Sequence, residues 1–333
     1  VKILVTGAAG FIGFHLSQKL LALGHEVAGL DALTSYYDPA LKQTRLDILM
    51  EQPRFRFGKI DLTDAGALED FVGAAEADIV YHLGAQPGVR YSIENPQSYI
   101  QSNIVGTANL LEALRRRAPK HLIFASTSSV YGGNAEMPYG ETHRADSPLS
   151  LYAATKKSGE ALVHSYAHLW SIPSTCVRFF TVYGPYGRPD MALLKFATAI
   201  HSGKPIDVYG QGKMRRDFTY VEDLVASLIA IMSRVPIAGQ PVEGDSLSAV
   251  APYRLLNVGG GRPVQLMDFI GALERAMGTK AQLNMLPMQP GDVVATEADT
   301  TLLQALVGKL PATPLDVGIE KFVAWFRDYG MKK

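Results

Sequence analysis

KILVTGAAGFIG, residues 2–13, decides how the rest of the chain is read. Its opening KILVT is short and apolar, the mark of a strand covered on both faces. Gly7, Gly10 and Gly13 follow at three-residue spacing, directly after that strand and at the start of a helical pattern over 11–23. Gly7 permits the tight turn, Gly10 lets backbone approach a pyrophosphate, and Gly13 lets the helix pack close to the sheet. Phosphates would sit at the helix N-terminus, where unpaired N–H groups and the dipole favour anions. Asp31 ends the next strand-like run, EVAGLD (26–31), 24 residues after Gly7. A carboxylate there accepts from a ribose 2′-OH and repels a 2′-phosphate, which favours NAD over NADP. The plainer reading, a glycine turn without a ligand, does not account for this βαβ context.

Working outward, the strand candidates are 2–6, 26–31, 55–61, 78–84, 121–126 and 174–180, with helical patterns over 11–23, 64–74, 96–117 and 151–170. This alternation predicts an α/β fold: a Rossmann-type doubly wound parallel sheet with a smaller α/β C-terminal substrate domain. We place the dinucleotide domain at 1–180, with some later elements interleaved, and the second domain at 181–333. Turn residues cluster in YGPYGRPD (183–190) and YGQGKMRRD (209–217). Loops of that composition usually bind something. A helix over 221–233, a strand over 254–260, a helix near 264–277 and a terminal helix follow. GQPVEGDSLSAVAP (239–252) reads as a solvated excursion.

Composition narrows the partners. The 333 residues are 47% hydrophobic and carry a formal net charge of +0, so nothing advertises nucleic acid or an anionic membrane. No run of 18 apolar residues predicts a membrane span. The single cysteine, Cys176, fits a reducing, cytoplasmic setting and reads as a small apolar strand residue. Among eight histidines, His164 and His168 stand four apart, but no carboxylate or thiol cluster completes a metal site. They read as helix surface or a subunit interface, and His82 as structural.

Tyr152 and Lys156 in LYAATKKSGE (151–160) share one helix face. A phenol of pKa about 10 is a poor base near neutrality. An ammonium about 4 Å away favours phenolate by roughly 4 kcal/mol at an effective dielectric near 20. Lys157 points to another face and is the weaker candidate. Twenty-five residues before Tyr152, HLIFA runs into four hydroxyls, Ser126, Thr127, Ser128 and Ser129, with no carboxylate among them.

TGxxGFIG, the hydroxyl cluster before VYG, and YxxxK together resemble the extended short-chain dehydrogenase/reductase superfamily. Longer stretches are similar to the UDP-glucuronate 4-epimerase family: YYDPALKQTRL (36–46), GVRYSIENP (88–96), SLYAATKK (150–157), RFFTVYGPYGRPDMALLKF (178–196) and RRDFTYVED (215–223). Position 32 departs, with DAL (31–33) where relatives often have D-N-L. The resemblance implies Thr127, Tyr152 and Lys156 as catalytic residues. It implies an NAD site from Gly7, Gly10, Phe11, Ile12, Gly13, Asp31, Lys42, Asp61, Leu62, Leu83, Ala85, Asn103, Tyr152 and Lys156. Substrate contacts are expected from Gln86, Arg90, Ser128, Ser129, Thr181, Arg188, Arg216 and Asp292. QPGDV (289–293) is expected to close over the nucleotide. Which arginine takes a sugar carboxylate and which the diphosphate stays open. No metal is expected.

The activity implied is reversible C4 epimerisation of UDP-glucuronate to UDP-galacturonate through a 4-keto intermediate, with tightly bound NAD and Tyr152 as acid/base. A ketone at C4 lies β to the sugar carboxylate, so decarboxylation is the hazard to be avoided. Dehydrating relatives carry Asp-Glu after the Thr, and decarboxylating relatives carry Glu at the second position; this chain has Ser128 and Ser129. Alternatives are a 4-epimerase of UDP-glucose and UDP-galactose, a UDP-glucuronate decarboxylase, and a non-catalytic NAD-binding sensor. The resemblance also implies a homodimer through a four-helix bundle formed by the 96–117 and 151–170 helices.

Overall fold

In a computed structural model, which describes residues 1–289 and 291–330, seven parallel strands form the central sheet. In chain order the strands of the molecule are β1 (Lys2–Thr6), β2 (Glu26–Asp31), β3 (Phe55–Lys59), β4 (Ile79–His82), β5 (His121–Thr127), β6 (Ser174–Phe179), β7 (Thr181–Tyr183), β8 (Ile206–Val208), β9 (Arg215–Tyr220), β10 (Tyr253–Val258), β11 (Pro263–Gln265) and β12 (Leu283–Met285). The central order is β10-β6-β5-β4-β1-β2-β3. Leu4, Val5, Val80 and Ile123 are fully buried, as the continuous apolar runs require for strands covered on both faces. One apolar core lies on each side of the sheet. The connections reverse direction between β1 and β4, and the carboxyl ends there open a crevice, the usual ligand site of an open α/β sheet.

Local chemistry fixes the helices that frame this crevice. Phe11–Ala22 begins directly on the glycine loop. Pro39–Met50 starts with Pro at its first turn and Asp38 accepting from the Ala40 N–H, a start signal present in the sequence. Ser150 caps Leu151–Trp170 by accepting from the Ala153 N–H at 3.1 Å. The stretch read as one helix over 96–117 is three pieces: Pro96–Tyr99, a π-helical Ile100–Val105, and Gly106–Arg116. The wider π turn carries Asn103, whose amide bonds both the N–H and C=O of Gln86 and the Thr155 hydroxyl.

After residue 180 the chain builds two small sheets, β11-β9-β7 and β12-β8, while β10 returns to the large one. The 239–252 stretch is pinned rather than freely solvated. Asp245 is buried against Arg254 at 2.7 Å, Ser248 bonds His164 at 2.8 Å, and the Val250 carbonyl bonds His168 at 2.7 Å. The two histidines thus anchor a loop over their helix. Among the described residues no three His, Cys, Asp or Glu side chains are grouped to hold a metal ion. No described helix is long and apolar enough to cross a membrane.

Candidate active site

The crevice between β1 and β4 holds a cavity of about 260 Å³. Its floor is the glycine loop. Gly7 has φ +72°, and a Cβ there would lie 2.9 Å from the Gly84 Cα. A Cβ on Gly13 would come within 2.1 Å of the Gly7 carbonyl oxygen, and one on Gly10 within 2.9 Å of it. Only glycines fit this close approach of strand, turn and helix. Phe11, Ile12, Asp31, Lys42, Asp61, Leu62, Leu83 and Ala85 line the same cavity. Asp31 is half-buried and accepts from the Leu33 N–H at 2.8 Å. Burial raises its pKa, while the Lys42 charge pulls it back. Lys42 is buried, donates to Thr34 O at 2.9 Å and Thr34 Oγ1 at 3.0 Å, and is pushed down by burial against the pull of Asp31. A side-chain-free anion cradle beside an acceptor carboxylate fits NAD.

The opposite wall carries Ser126, Thr127, Tyr152, Lys156, Gln86 and Arg188. Thr127 ends β5 and donates to the Ser129 hydroxyl at 3.2 Å. Tyr152 lies in the first turn of its helix, edge-on to Tyr99 at 6.1 Å. Burial raises the phenol's pKa; the positive charge of Arg188 and a hydrogen bond with Thr127 oppose it. Lys156 is buried with its ammonium 4.5 Å from the centre of the Phe124 ring. Burial lowers it to about 8, with the Glu160 charge among the groups holding it up. Arg188 is thus a cation acting on Tyr152 that the helical spacing, which suggested Lys156, did not point to. Arg188 is itself held by Asp190, its Nε donating at 3.0 Å, and Asp190 accepts from the Tyr36 hydroxyl at 3.0 Å.

Other expected contacts gather elsewhere. Ser128 and Ser129 sit in the turn after Thr127 and do not line the cavity, although Ser129 bonds Thr127. Thr181 lines a smaller neighbouring cavity that shares Phe11, Val182, Arg188 and Met191 with the first. Asn103 lies behind the wall, holding Gln86. Arg90, Asp292 and Arg216 form a separate group. Arg90 pairs with Asp292 at 3.1 Å and lies 4.4 Å over the Tyr209 ring. Arg216 donates to the carbonyls of Arg215 and Val294 at 3.0 and 3.2 Å. Within QPGDV, Pro290 lies outside the described residues.

Three residues escaped the sequence reading. Asp190, two places after Arg188, orients it. Glu160, the last letter of the quoted LYAATKKSGE, is buried and bonds Ser126 at 2.7 Å and Arg178 at 2.8 and 2.9 Å. Arg45 is fully buried beside the glycine loop. For Glu160 the available signal was its spacing, one turn beyond Lys156 on the same face. Ser126, expected only to finish the strand, lines the cavity and spends its hydroxyl on Glu160.

Comparison with known proteins places the chain in a family. The model of the NAD dependent epimerase/dehydratase family matches residues 3–241. A probable UDP-glucuronate 4-epimerase of Rhizobium meliloti (strain 1021) is 51% identical over 98% of this chain and 97% of its own length. UDP-glucuronate 4-epimerase 1 of Arabidopsis thaliana is 43% identical over 99% of this chain and 77% of its own. A UDP-glucuronic acid 4-epimerase from Bacillus cereus, crystallised with UDP-glucuronic acid and NAD, superposes with a TM-score of 0.88 at 34% identity, covering 99% of this chain and 100% of that one. With a glycine cradle, an acceptor carboxylate and a Thr–Tyr–Lys wall around one cavity, and with a match over most of its length, the chain belongs to the NAD dependent epimerase/dehydratase family.

Proposed function

We propose that this protein is a UDP-glucuronate 4-epimerase, an isomerase that interconverts UDP-glucuronate and UDP-galacturonate through a 4-keto sugar. The observation that carries the reading is the character of the reacting wall. Around Thr127 and Tyr152 the cavity is lined by hydroxyls, an amide and two cations, and its only acids among the described residues, Asp31 and Asp61, belong to the glycine-loop end. A dehydratase needs an acid/base pair beside the oxidised carbon. Here the acid-free lining favours changing C4 and leaving the rest of the sugar intact.

The cofactor would be held by Gly7, Gly10 and Gly13 at its diphosphate, by Asp31 at its adenosine ribose, and by Lys156 at its nicotinamide ribose. When bound, NAD supplies the hydride acceptor and donor for C4. Tyr152 takes the 4-hydroxyl proton as phenolate and returns it to the other epimer. Thr127 polarises the same oxygen. Arg188 makes the phenolate cheaper and is the arginine we assign to the sugar end, whereas Arg90 and Arg216 serve the UDP diphosphate, with Asp292 at the uridine ribose. Thr181, in the adjoining cavity, and Ser129, through its bond with Thr127, are the neutral groups nearest the carboxylate, which would be held with the C5–C6 bond out of alignment with the ketone. We further place the protein in the cytoplasm as a homodimer, through the face where Leu169 and Trp170 are exposed and Tyr166 packs on Trp170 at 4.4 Å.

A proton NMR time course with UDP-glucuronate tests the activity. UDP-galacturonate forming without release of CO₂ is the expected result. A UDP-pentose product would assign decarboxylation instead, and conversion of UDP-galactose alone would move the substrate to a neutral hexose.

A further inference from the structure

Arg45, in the Pro39–Met50 helix, is 0% exposed and makes no ion pair among the described residues. Its Nη1 donates to the Ala9 carbonyl at 3.0 Å and the Tyr37 hydroxyl at 2.9 Å. Its Nη2 donates to the Tyr186 carbonyl at 2.6 Å and reaches that of Gly187 at 3.4 Å. Its Nε has no hydrogen-bond partner among the described residues. All four acceptors are neutral, and they come from three segments: the glycine loop, the loop after β2, and YGPYGRPD. Burying a guanidinium without a carboxylate is costly, and a neutral side chain of similar length would fill the space without that cost. The position therefore calls for an explanation that uses the charge.

Two features supply one. The charge is felt at the adenosine end of the cavity, since Arg45 acts on both Asp31 and Lys42. Of the charged residues at that end, Lys42 shares the cavity lining with the carboxylates Asp31 and Asp61, whereas Arg45 lies behind the glycine loop with no carboxylate hydrogen-bonded to it among the described residues. A diphosphate bound on the loop whose Ala9 carbonyl Arg45 holds would bring an anion to that side. Secondly, Tyr186 has φ +56°, an unfavourable value for a residue with a side chain. Its carbonyl is one that Arg45 grips, and two residues later Arg188 enters the cavity and acts on Tyr152.

We propose that Arg45 is a positioning residue that ties the dinucleotide loop to the loop carrying Arg188, and that its buried charge is balanced by the diphosphate of the bound cofactor. The proposal rests on the reading of the cavity as an NAD site. It makes cofactor retention depend on the charge of Arg45, and sugar-nucleotide binding depend on its forked geometry.

Arg45→Met and Arg45→Lys separate these effects, with NAD as the probe. Bound NAD per chain is measured in the purified proteins, NAD rebinding to stripped protein is measured by calorimetry, and kcat and KM for UDP-glucuronate are measured at saturating NAD. Arg45→Met is expected to weaken NAD binding about tenfold or more, the scale of a lost charge-assisted interaction. Arg45→Lys keeps the charge but cannot span both loops. It should hold NAD within about threefold of the parent while raising KM for UDP-glucuronate about tenfold. If Arg45→Met does not fold, the Lys variant and Tyr37→Phe carry the test, the latter removing one anchor and raising KM by a smaller factor. Parent-like NAD affinity and parent-like KM in the Arg45 variants would overturn the proposal, as would equal loss of NAD by Met and Lys. Stripped parent protein that fails to bind NAD would instead overturn the reading of the cavity on which the proposal stands.

Discussion

The two ends of the cavity are built in different ways. At the glycine-loop end the ligand surface is backbone. One contiguous turn, Gly7–Gly13, presents it, and added Cβ atoms would collide with the Gly7 carbonyl and with Gly84. No side chain has to change partner for an anion to bind there. At the other end, which we propose takes the sugar nucleotide, and in the separate Arg90 group beyond it, the surface is side chains carried by loops far apart in the chain. Arg90 and Asp292 are 202 residues apart, and Tyr36 and Asp190 are 154 apart. The charged groups at this end are already neutralised by one another: Arg90 by Asp292, Arg188 by Asp190. The first end binds with its geometry prepaid. On our proposal the second would exchange an internal carboxylate for a substrate anion, which suits a ligand that enters and leaves while the cofactor stays.

If this division is right, variants at the two ends should separate cofactor retention from turnover. The largest effect belongs to the reacting wall. Tyr152→Phe should lower kcat by at least about 100-fold, as expected on losing a general acid–base group, with the NAD content of the purified protein unchanged. Turnover by the NMR assay and NAD by acid release measure the two quantities. Near-normal kcat would remove Tyr152 from the proposed chemistry. At the other end, Gly13→Ala should strip most of the cofactor and lower stability by about 1–3 kcal/mol, the scale of forced overpacking. Retention of stoichiometric NAD in that variant would break the claim that the backbone cradle is rigid.

A smaller effect is expected at the mouth. Arg90→Ala should raise KM for UDP-glucuronate by about tenfold, the scale of one lost charge-assisted hydrogen bond, without loss of NAD. A change in kcat alone would place Arg90 with the reacting wall instead. The smallest effect is on stability. Lys156 is lowered to about 8 by burial, so in NAD-free protein the folded state sheds its proton before the unfolded chain, whose lysine has a pKa near 10.5. Between those values the unfolded state binds more protons, and stability should rise with pH by about 1 kcal/mol per unit. Urea midpoints of stripped protein across pH 8–10 measure this, against Lys156→Met, in which the rise should vanish. An unchanged slope in the variant would assign the dependence to another group.

The sheet was legible because strands covered on both faces leave uninterrupted apolar runs; KILVT, EVAGLD and HLIFAS needed no tertiary information. The Pro39–Met50 helix was less visible because its buried face mixes Leu41, Leu46 and Leu49 with Lys42 and Arg45. The Ile100–Val105 π turn left no periodic mark, since it is set by the bonds of Asn103 to Gln86. Nor could three-residue strands such as β7 and β8 be read from pattern. The 239–252 stretch looked solvated by composition, yet Asp245 finds Arg254 and two histidines find its backbone and hydroxyl.

The sequence by itself determined the nucleotide cradle, the pairing of Tyr152 with Lys156 on one helix face, and the absence of acids beside Thr127. Each is a local property, fixed by glycine spacing, helical pitch or the order of neighbouring residues. The tertiary structure alone brought the Arg188 charge to Tyr152, set Asp190 and Tyr36 to hold it, and let Arg45 reach the Tyr186 carbonyl, 141 residues further along the chain. Those are through-space relations between segments with no sequence proximity, and Coulomb and hydrogen-bond energies depend on distance in space, not along the chain.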